Sequence, residues 1–271
     1  MNIVNYIFYQ TPLFYLIQSI WRDEAFSYFM AKPDLVKVIV NTAHDFNPPF
    51  YYLILHLWMQ VVGKSDVGLR LLSFFAFALS VYVASLLAEK IFSRRFAIFV
   101  AAFTFFNPML LYYAFEIRMY SFYALFTVCS LYFWYKKEWK WYLITSVLGL
   151  YTHSFFILVP LSFIIYYFLT KQNRRRLVIN TAKPLLFFLP WLPVLVNQFI
   201  RSKDSWIFPV DLQLVKSVLG NLFTNFEGTP GGWWSLTFWL SVIILVFLWM
   251  GFRQNKKQAL LFLTPIVFTL S

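Results

Sequence analysis

Long apolar runs, separated by short charged or Pro- and Gly-containing breaks, set the pattern of this chain. A helix of about 20 apolar residues is long enough to cross a bilayer. The runs predict single crossings at residues 3–20, 67–88, 177–198, 236–252 and 259–271, and two crossings in each of the segments 96–135 and 141–170. We therefore expect an all-α, polytopic integral membrane protein, with about nine spans forming one transmembrane domain over residues 1–271.

Two longer polar stretches interrupt the apolar runs, at residues 22–66 and 199–235. Within the first, the pattern predicts a short helix over residues 34–43 and an apolar helix over residues 50–62. The second of these is too short to span, so we expect it to lie along the membrane surface. The last run, residues 259–271, ends partway through a membrane, and we expect the natural chain to continue beyond Ser271.

The composition indicates a membrane protein and excludes some kinds of site. The chain is 61% hydrophobic and only 13% charged, whereas soluble domains carry about 25% charged residues. Cys129 is the single cysteine, which excludes an internal disulfide and a cysteine-based metal site. The net charge of +12 does not indicate nucleic acid, because basic residues beside spans follow from membrane topology.

The basic residues concentrate in four short loops that fall on the same side when crossings alternate. Cytoplasmic loops carry an excess of Lys and Arg, so these loops are predicted to be cytoplasmic. The polar stretches 22–66 and 199–235, and the turns near residues 116–118 and 153, then share the opposite, extracytoplasmic face. The loop residues are Lys90, Arg94, Arg95, Lys136, Lys137, Lys140, Lys171, Arg174, Arg175, Arg176, Lys183, Arg253, Lys256 and Lys257.

Ionisable side chains from distant segments are predicted to meet at that face. Placing a carboxylate near a membrane costs free energy, so such residues often have a function. A guanidinium can bind a phosphate through two hydrogen bonds. Each group also has an ordinary structural interpretation: helix capping for the Asp-Glu pair, interfacial anchoring for the Glu-x-Arg pair and packing for the histidine. The residues are Asp23, Glu24, Asp45, Glu116, Arg118 and His153.

Several familiar chemistries have no motif here. A G-x-S-x-G elbow, a P-loop and a Rossmann fingerprint are all absent from the sequence. The three histidines lack tight metal-ligand spacing, so no cofactor is implied. A divalent metal using Glu24, Asp45 or His153 stays open.

Four segments in series carry a family resemblance. They are D-E-A-F-S (23–27), D-F-N-P-P-F-Y-Y (45–52), F-E-I-R-M-Y (115–120) and Y-T-H (151–153). Together they resemble the glycosyltransferase family 39 type, the protein-mannosyltransferase and aminoarabinose-transferase-like group of GT-C membrane enzymes. The resemblance covers residues 20–170, and beyond residue 177 only general character matches.

The resemblance implies a GT-C-like helical bundle with juxtamembrane helices in its first extracytoplasmic loop. It also implies a sugar donor on a polyprenyl-phosphate carrier and a lipid, glycan or protein acceptor. We expect an active site on the extracytoplasmic face of a bacterial or archaeal plasma membrane. One departure concerns Asn47, where many relatives have histidine before the proline pair, and this departure leaves metal dependence open.

Roles follow for individual residues. Asp23 is the expected catalytic base with Glu24 as its partner, while Asp45, Glu116 and Tyr120 match substrate-binding positions. Arg118 is the first candidate for the donor phosphate, and the further candidates are Arg70, His153, Arg201 and Lys203. Aromatic rings that could stack on a sugar include Trp206, Trp233 and Trp234.

Two other functions remain as alternatives. A transporter or lipid-carrier flippase would also contain intramembrane charges and broken helices, although no inverted repeat is evident. A non-catalytic assembly subunit would tolerate amides in place of Asp23 and Glu24.

Overall fold

A computed structural model describes residues 13–170, 175–201, 212–221, 223 and 234–254. Within these ranges the chain forms α-helices and two short 3₁₀ turns, with no β-strand. The all-α membrane fold is thereby confirmed. The helices are α1 Phe14–Ile17, α2 Arg22–Ala31, α3 Leu35–His44, α4 Phe50–Val62, α5 Asp66–Ile91, α6 Arg94–Phe105, α7 Pro108–Ala114, α8 Tyr120–Lys136, α9 Trp139–Leu150, α10 Leu158–Leu169, α11 Arg175–Phe188, α12 Leu192–Arg201, α13 Leu212–Asn221 and α14 Trp234–Gln254.

Helix α5 is the centre of the bundle. Its 26 residues begin at a Ser65 cap, whose hydroxyl accepts a hydrogen bond from Gly68 N–H, and it packs most extensively against α8 and α6. In the described part of the chain, two helical segments are long and apolar enough to cross a membrane, namely α5 and Arg175–Arg201. The bent pair α6–α7 makes a third if it counts as one span.

The bend between α6 and α7 has a local cause. The two axes differ by 64°, and the break contains Asn107 followed by Pro108. The Asn107 side chain accepts a hydrogen bond from Leu110 N–H at 3.0 Å, so it caps a new helix. Pro108 occupies the first helical turn, where its missing N–H costs nothing.

Several predicted crossings form helices that are shorter than a full span. Helix α8 has 17 residues and α9 has 12, against about 20 for a bilayer core. The prediction of about nine crossings is not tested, and residues 1–12 and 255–271 lie outside the described part of the chain.

The juxtamembrane helices of the first polar stretch are present. Helix α3 is capped by Asp34, whose carboxylate accepts from Lys37 N–H at 3.0 Å. Helix α4 has the predicted bounds and ends at Gly63, whose φ of +78° is a conformation that favours glycine.

Two buried clusters support the ends of the bundle. One joins α2, α3, α4 and α5 and includes Tyr51, Tyr52, Leu55 and Leu69. The other joins α8 to α11 and is aromatic, with Trp134 stacked on Phe163 at a centroid distance of 4.7 Å. Between α8 and α9, the hydroxyls of Ser130 and Ser146 are 3.0 Å apart, an interhelical hydrogen bond of the kind that joins membrane helices.

The direction of α8 and α9 defines two ends of the bundle. We call the end containing residues 116–120 and 151–154 the site end, and the end containing residues 136–140 and 175–183 the basic end. Because α8 rises about 1.5 Å per residue, the two ends are separated by about 25 Å. This is close to the thickness of a bilayer core, which is about 30 Å.

Candidate active site

A buried carboxylate–guanidinium pair forms the floor of the site. Glu24, in the first turn of α2, accepts two hydrogen bonds from Arg70 of α5, Nε–Oε1 at 2.9 Å and Nη2–Oε2 at 2.6 Å. It also accepts from the backbone N–H groups of Ile117 at 3.0 Å and Trp21 at 3.4 Å. Both charged side chains are fully buried. The pair therefore joins α2, α5 and the turn before α8.

The remaining N–H groups of Arg70 are also occupied. They donate to the carbonyl oxygens of Leu16, Gln18 and Ser19 at 2.5–3.4 Å. The guanidinium thus has no open face for the donor phosphate that sequence analysis assigned to it. Both side chains are fully buried and hydrogen-bonded to each other, so this geometry gives no support to direct substrate contact by Arg70 or Glu24.

Asp23 lies on the outer side of this pair and is accessible, since its side chain is 37% exposed. Its Oδ2 lies 3.8 Å from Nη1 of Arg118, and the same nitrogen donates to the Asp23 carbonyl at 3.5 Å. The two residues are 95 positions apart in sequence. Glu24 follows Asp23 and Ile117 precedes Arg118, and these two residues form the buried hydrogen bond next to this contact. The D-E-A-F-S and F-E-I-R-M-Y motifs therefore make two adjacent contacts, Asp23 with Arg118 and Glu24 with Ile117.

Arg118 is held loosely, in contrast to Arg70. Its Nη2 donates to the hydroxyl of Tyr120 at 3.2 Å, and its guanidinium lies 5.4 Å from the centre of that ring. Its carbonyl oxygen accepts from the Ser73 hydroxyl. Within the described residues, the buried Nε has no hydrogen-bond partner, so this side chain retains donor capacity for an anion.

Hydrogen bonds to backbone carbonyl groups bring the D-x-N-P-P segment beside the Y-T-H segment. Phe50 N–H donates to the Tyr151 carbonyl at 2.9 Å, and the Ser154 hydroxyl donates to the Phe46 carbonyl at 3.4 Å. These bonds place Asp45 and His153 on neighbouring loops of the site end. Two motifs about a hundred residues apart therefore share one surface.

Asp45 is a second carboxyl group at the site end, and it is half-buried. Burial raises its pKa, while backbone N–H groups of Phe46 and Asn47 and the charge of Arg118 act in the opposite direction. Its Oδ2 is buried without a hydrogen-bond partner among the described residues. The electrostatic effect of Arg118 shows that Asp45 lies within the field of the same guanidinium that meets Asp23.

His153 follows the last turn of α9, and Gly149 makes that close turn feasible. The His153 N–H donates to the Gly149 carbonyl at 3.1 Å, and the ring of Phe156 occupies the space that a Cβ at position 149 would need. Burial, with a further effect of Arg118, lowers the pKa of His153 to about 4. Its Nδ1 accepts from Phe155 N–H at 3.2 Å, which favours the neutral tautomer protonated at Nε2.

The other predicted site residues are placed as follows. Glu116 is buried, and Tyr120 begins α8 in contact with Arg118. Sequence analysis did not select Tyr52, whose pKa is raised by burial and by the charge of Asp45, and is opposed by Arg118. A buried tyrosine at the start of an interfacial helix was the available signal, because its hydroxyl needs a polar neighbour.

The described residues also bear on metal binding and on the predicted second loop. Among the described residues, no three His, Cys, Asp or Glu side chains are arranged to hold a metal ion. Arg201 ends α12 and is exposed. The side chains of Lys203, Trp206, Trp233 and Trp234 lie outside what the structure describes.

The site end thus combines an accessible carboxylate, a guanidinium with spare donor capacity, a half-buried second carboxyl and a neutral imidazole. A family of dolichyl-phosphate-mannose-protein mannosyltransferases matches residues 46–198, more than half of the chain. The chain belongs to this family. It is therefore a membrane glycosyltransferase, which confirms the resemblance carried by the four motifs.

The family match includes Arg70, Glu116, Arg118, Tyr120 and His153, and it begins just after Asp45. No curated protein and no solved structure matches the chain. The roles of individual residues in this mannosyltransferase family member therefore depend on the geometry described above.

Proposed function

We propose that this protein transfers a sugar from a polyprenyl-phosphate carrier to an acceptor hydroxyl, with inversion and with Asp23 as general base. The observation that carries the proposal is the contact between Asp23 and Arg118, at 3.8 Å, beside the buried Glu24–Arg70 pair. It joins an accessible carboxylate to a cation suited to a phosphate. The family membership supports this type of donor.

Asp23 is preferred over Glu24 because a base must reach its proton directly or through one water. The Asp23 side chain is 37% exposed, whereas Glu24 is fully buried and its two oxygens already accept four hydrogen bonds. Glu24 is proposed to hold Asp23 in place through the first turn of α2. The two carboxylates of one motif thus take different roles.

The proposed step is a single displacement. The acceptor oxygen forms a bond to the anomeric carbon, while the bond from that carbon to the phosphate oxygen breaks. The acceptor proton passes to Asp23, and the electron pair leaves with the polyprenyl phosphate. Because only one displacement occurs, the configuration at the anomeric carbon inverts. A positioned base of this kind contributes typically ~10²–10⁴-fold.

Arg118 is proposed to hold the carrier phosphate as its negative charge increases. Its open Nε–H and its loose contacts leave donors for phosphate oxygens, and charge-assisted bonds of this type are the strong ones. Neutral His153, with its proton on Nε2, is proposed as a second donor near the same phosphate. Asp45, Glu116 and Tyr120 are proposed to bind the sugar or the acceptor.

The site end is proposed to face the extracytoplasmic side of a bacterial or archaeal plasma membrane. The proposal rests on the positive-inside rule, because the short loops at the opposite end of the bundle carry the exposed residues Lys136, Lys137, Lys140, Arg175 and Arg176. The donor would then reach the site from the outer leaflet, with its phosphate at the membrane surface. The acceptor can be a lipid, glycan or protein.

The experiment compares Asp23→Asn with Asp34→Asn in the purified full-length protein. Asp34 is a matched control, because it is an exposed carboxylate of the same loop, and asparagine also caps helices well. With radiolabelled polyprenyl-phosphate sugars and a membrane extract as acceptor source, Asp23→Asn should lose at least about 100-fold in transfer. Asp34→Asn should keep normal transfer, and both variants should keep the unfolding temperature of the parent.

Other outcomes would redirect the assignment. Normal transfer by Asp23→Asn would remove this residue from the mechanism. A labelled carrier that crosses vesicle membranes without losing its sugar would favour a flippase, which remains the alternative function.

A further inference from the structure

An open cavity of about 680 Å³ lies at the basic end, away from the candidate active site. It is formed where the start of α9 meets one face of α11. The lining residues are Trp139, Arg175, Arg176, Ile179, Asn180 and Lys183. Positions 176, 180 and 183 follow helical spacing, so these three side chains share one face of α11.

The wall of this cavity is firmly built. Trp139 packs edge-on against Tyr142 at a centroid distance of 6.1 Å, and the Tyr142 hydroxyl donates to the Thr181 carbonyl at 2.9 Å. Trp134 Nε1 donates to the Thr181 hydroxyl at 3.1 Å. These buried bonds fix α8 and α9 against α11 before any ligand arrives. The concave shape is therefore a property of the folded bundle.

The charges of the lining are unbalanced. Three of its six residues are cationic, and none is acidic. The nearest carboxylate along the chain, Glu138, is already paired with Lys136 at 2.6 Å. Within the described residues, no ion pair engages Arg175, Arg176 or Lys183. An anion would supply the missing charge.

The position of the cavity favours a lipid as the source of that anion. Its rim carries exposed Ile179 and half-buried Trp139, and tryptophan is enriched where a membrane meets water. The cavity lies about 25 Å from the site end, by the length of α8. It therefore opens at the opposite membrane surface, where it is too far away to contact a substrate bound at Arg118.

We propose that this cavity binds a phosphate headgroup, supplied by an anionic lipid of the leaflet at the basic end. The guanidinium groups of Arg175 and Arg176 and the ammonium of Lys183 would contact phosphate oxygens, and the Asn180 amide would donate a further hydrogen bond. Trp139 and Ile179 would border the glycerol and upper acyl region. This site is independent of the transfer reaction and its donor.

The test measures binding of phosphatidylglycerol to the full-length protein in detergent, by native mass spectrometry, with phosphatidylcholine as the neutral comparison. The variant is Arg176→Gln/Lys183→Gln. The control variant is Arg94→Gln/Arg95→Gln, which removes two exposed charges outside the cavity. A second arm adds glycerol 3-phosphate or inorganic phosphate as a competitor, to distinguish a lipid from a free phosphate.

The expected result is roughly a thirtyfold loss of phosphatidylglycerol affinity in the cavity variant, for two basic contacts. The control should lose less than about threefold, because distant exposed charges are largely screened. Competition by millimolar soluble phosphate that is lost in the cavity variant would support the site but assign it to free phosphates. Equal losses in both variants, or no loss in the cavity variant, would overturn the proposal.

Discussion

Asp23 and Glu24 are adjacent in sequence but differ completely in environment. Glu24 faces inward, where Arg70 and two backbone N–H groups satisfy its charge, and Asp23 faces the surface beside Arg118. Residue types could not separate these roles, because either carboxylate suits the first turn of a helix. The difference comes from which of them meets α5.

Arg118 should be sensitive to a change that keeps its charge. We expect Arg118→Lys to raise the KM for the polyprenyl-phosphate donor by about tenfold or more, because an ammonium lacks the planar donor fork of a guanidinium. The kcat should fall less than it does in Asp23→Asn. The measurement is initial rates of transfer at varied donor concentration.

Arg201 supplies a control of the same kind. Arg201→Lys changes an exposed arginine at the end of α12 and should leave donor KM within about twofold, as surface substitutions usually have small effects. An unchanged donor KM in Arg118→Lys would argue against a phosphate contact by this residue.

His153 should make the stability of the protein depend on pH in a defined window. Its pKa falls from 6.5 to about 4 on folding, because burial and Arg118 disfavour the imidazolium. Between these values the unfolded chain binds more protons than the folded one, so stability increases with pH. The contribution is complete above about pH 6.5 and is lost progressively as the pH decreases toward 4.

The check is the thermal unfolding midpoint of the parent protein and of His153→Gln, measured from pH 4 to pH 7.5. The variant should show a flatter profile between pH 4 and 6.5. Asp45 contributes with the opposite sign at the acid end of the range, since burial raises its pKa, and it is unchanged in both proteins. Identical slopes in the two profiles would contradict a neutral, buried His153.

A buried ion pair, together with an apolar cluster, holds the helices of the first polar stretch against α5. We expect Glu24→Gln and Arg70→Gln each to destabilise the protein by about 3–5 kcal/mol, because each leaves an uncompensated buried charge. The double variant should lose less unfolding free energy than the two single variants lose together, since the residues are in direct contact. Thermal and denaturant unfolding in detergent would measure all three.

The comparison with Asp23 separates a positioning role from a chemical one. Asp23→Asn should lose transfer without losing stability, while Glu24→Gln should lose stability and transfer together. Additive costs for the Glu24 and Arg70 variants would mean that the pair is not coupled. A fully stable Glu24→Gln would show that α2 is held in another way.

Local chain signals made some elements predictable and left others hidden. The bounds of α4, Phe50–Val62, follow from an apolar run between Pro49 and Gly63. The pairing of Glu24 with Arg70 spans 46 residues, and no periodicity specifies which helix a buried carboxylate meets. Arg70 was therefore predicted to contact substrate, although its place in an apolar run was compatible with a buried partner.

At the scale of the whole molecule, the order of the motifs among the membrane crossings predicted which residues share a face, although these residues are far apart in sequence. Alternating crossings already predicted that residues 23, 118 and 153 share a face, because a helix pair returns the chain to the side it left. The direct contacts, such as Phe50 with Tyr151, required the packing of α8, α9 and α4. Tyr52 was missed because its burial depends on the packing of α4 against other helices, although Asp45 and Asn47 of its own segment are among its polar neighbours.

The two ends of the bundle should lie on opposite sides of the membrane. Cys129 is the single cysteine, so Cys129→Ser gives a background in which one new thiol reports its own side. With an impermeant maleimide on intact cells, Lys37→Cys at the site end should be labelled. Lys140→Cys at the basic end should be labelled only after the membrane is permeabilised. Both positions are exposed, so burial does not limit the reaction.

The distribution of charge, rather than the shape of any helix, supports this expectation. The positive-inside rule acts through short loops, and the basic end carries Lys136, Lys140, Arg175, Arg176 and Lys183. The parent protein and Cys129→Ser alone serve as controls for background labelling. Labelling of both new cysteines from the same side would contradict the placement of the two ends on opposite sides of the membrane. Reversed labelling would place Asp23 and Arg118 in the cytoplasm. The reversed result would remove the outer-leaflet donor from the proposed reaction, because the carrier phosphate must be on the side where these two residues meet.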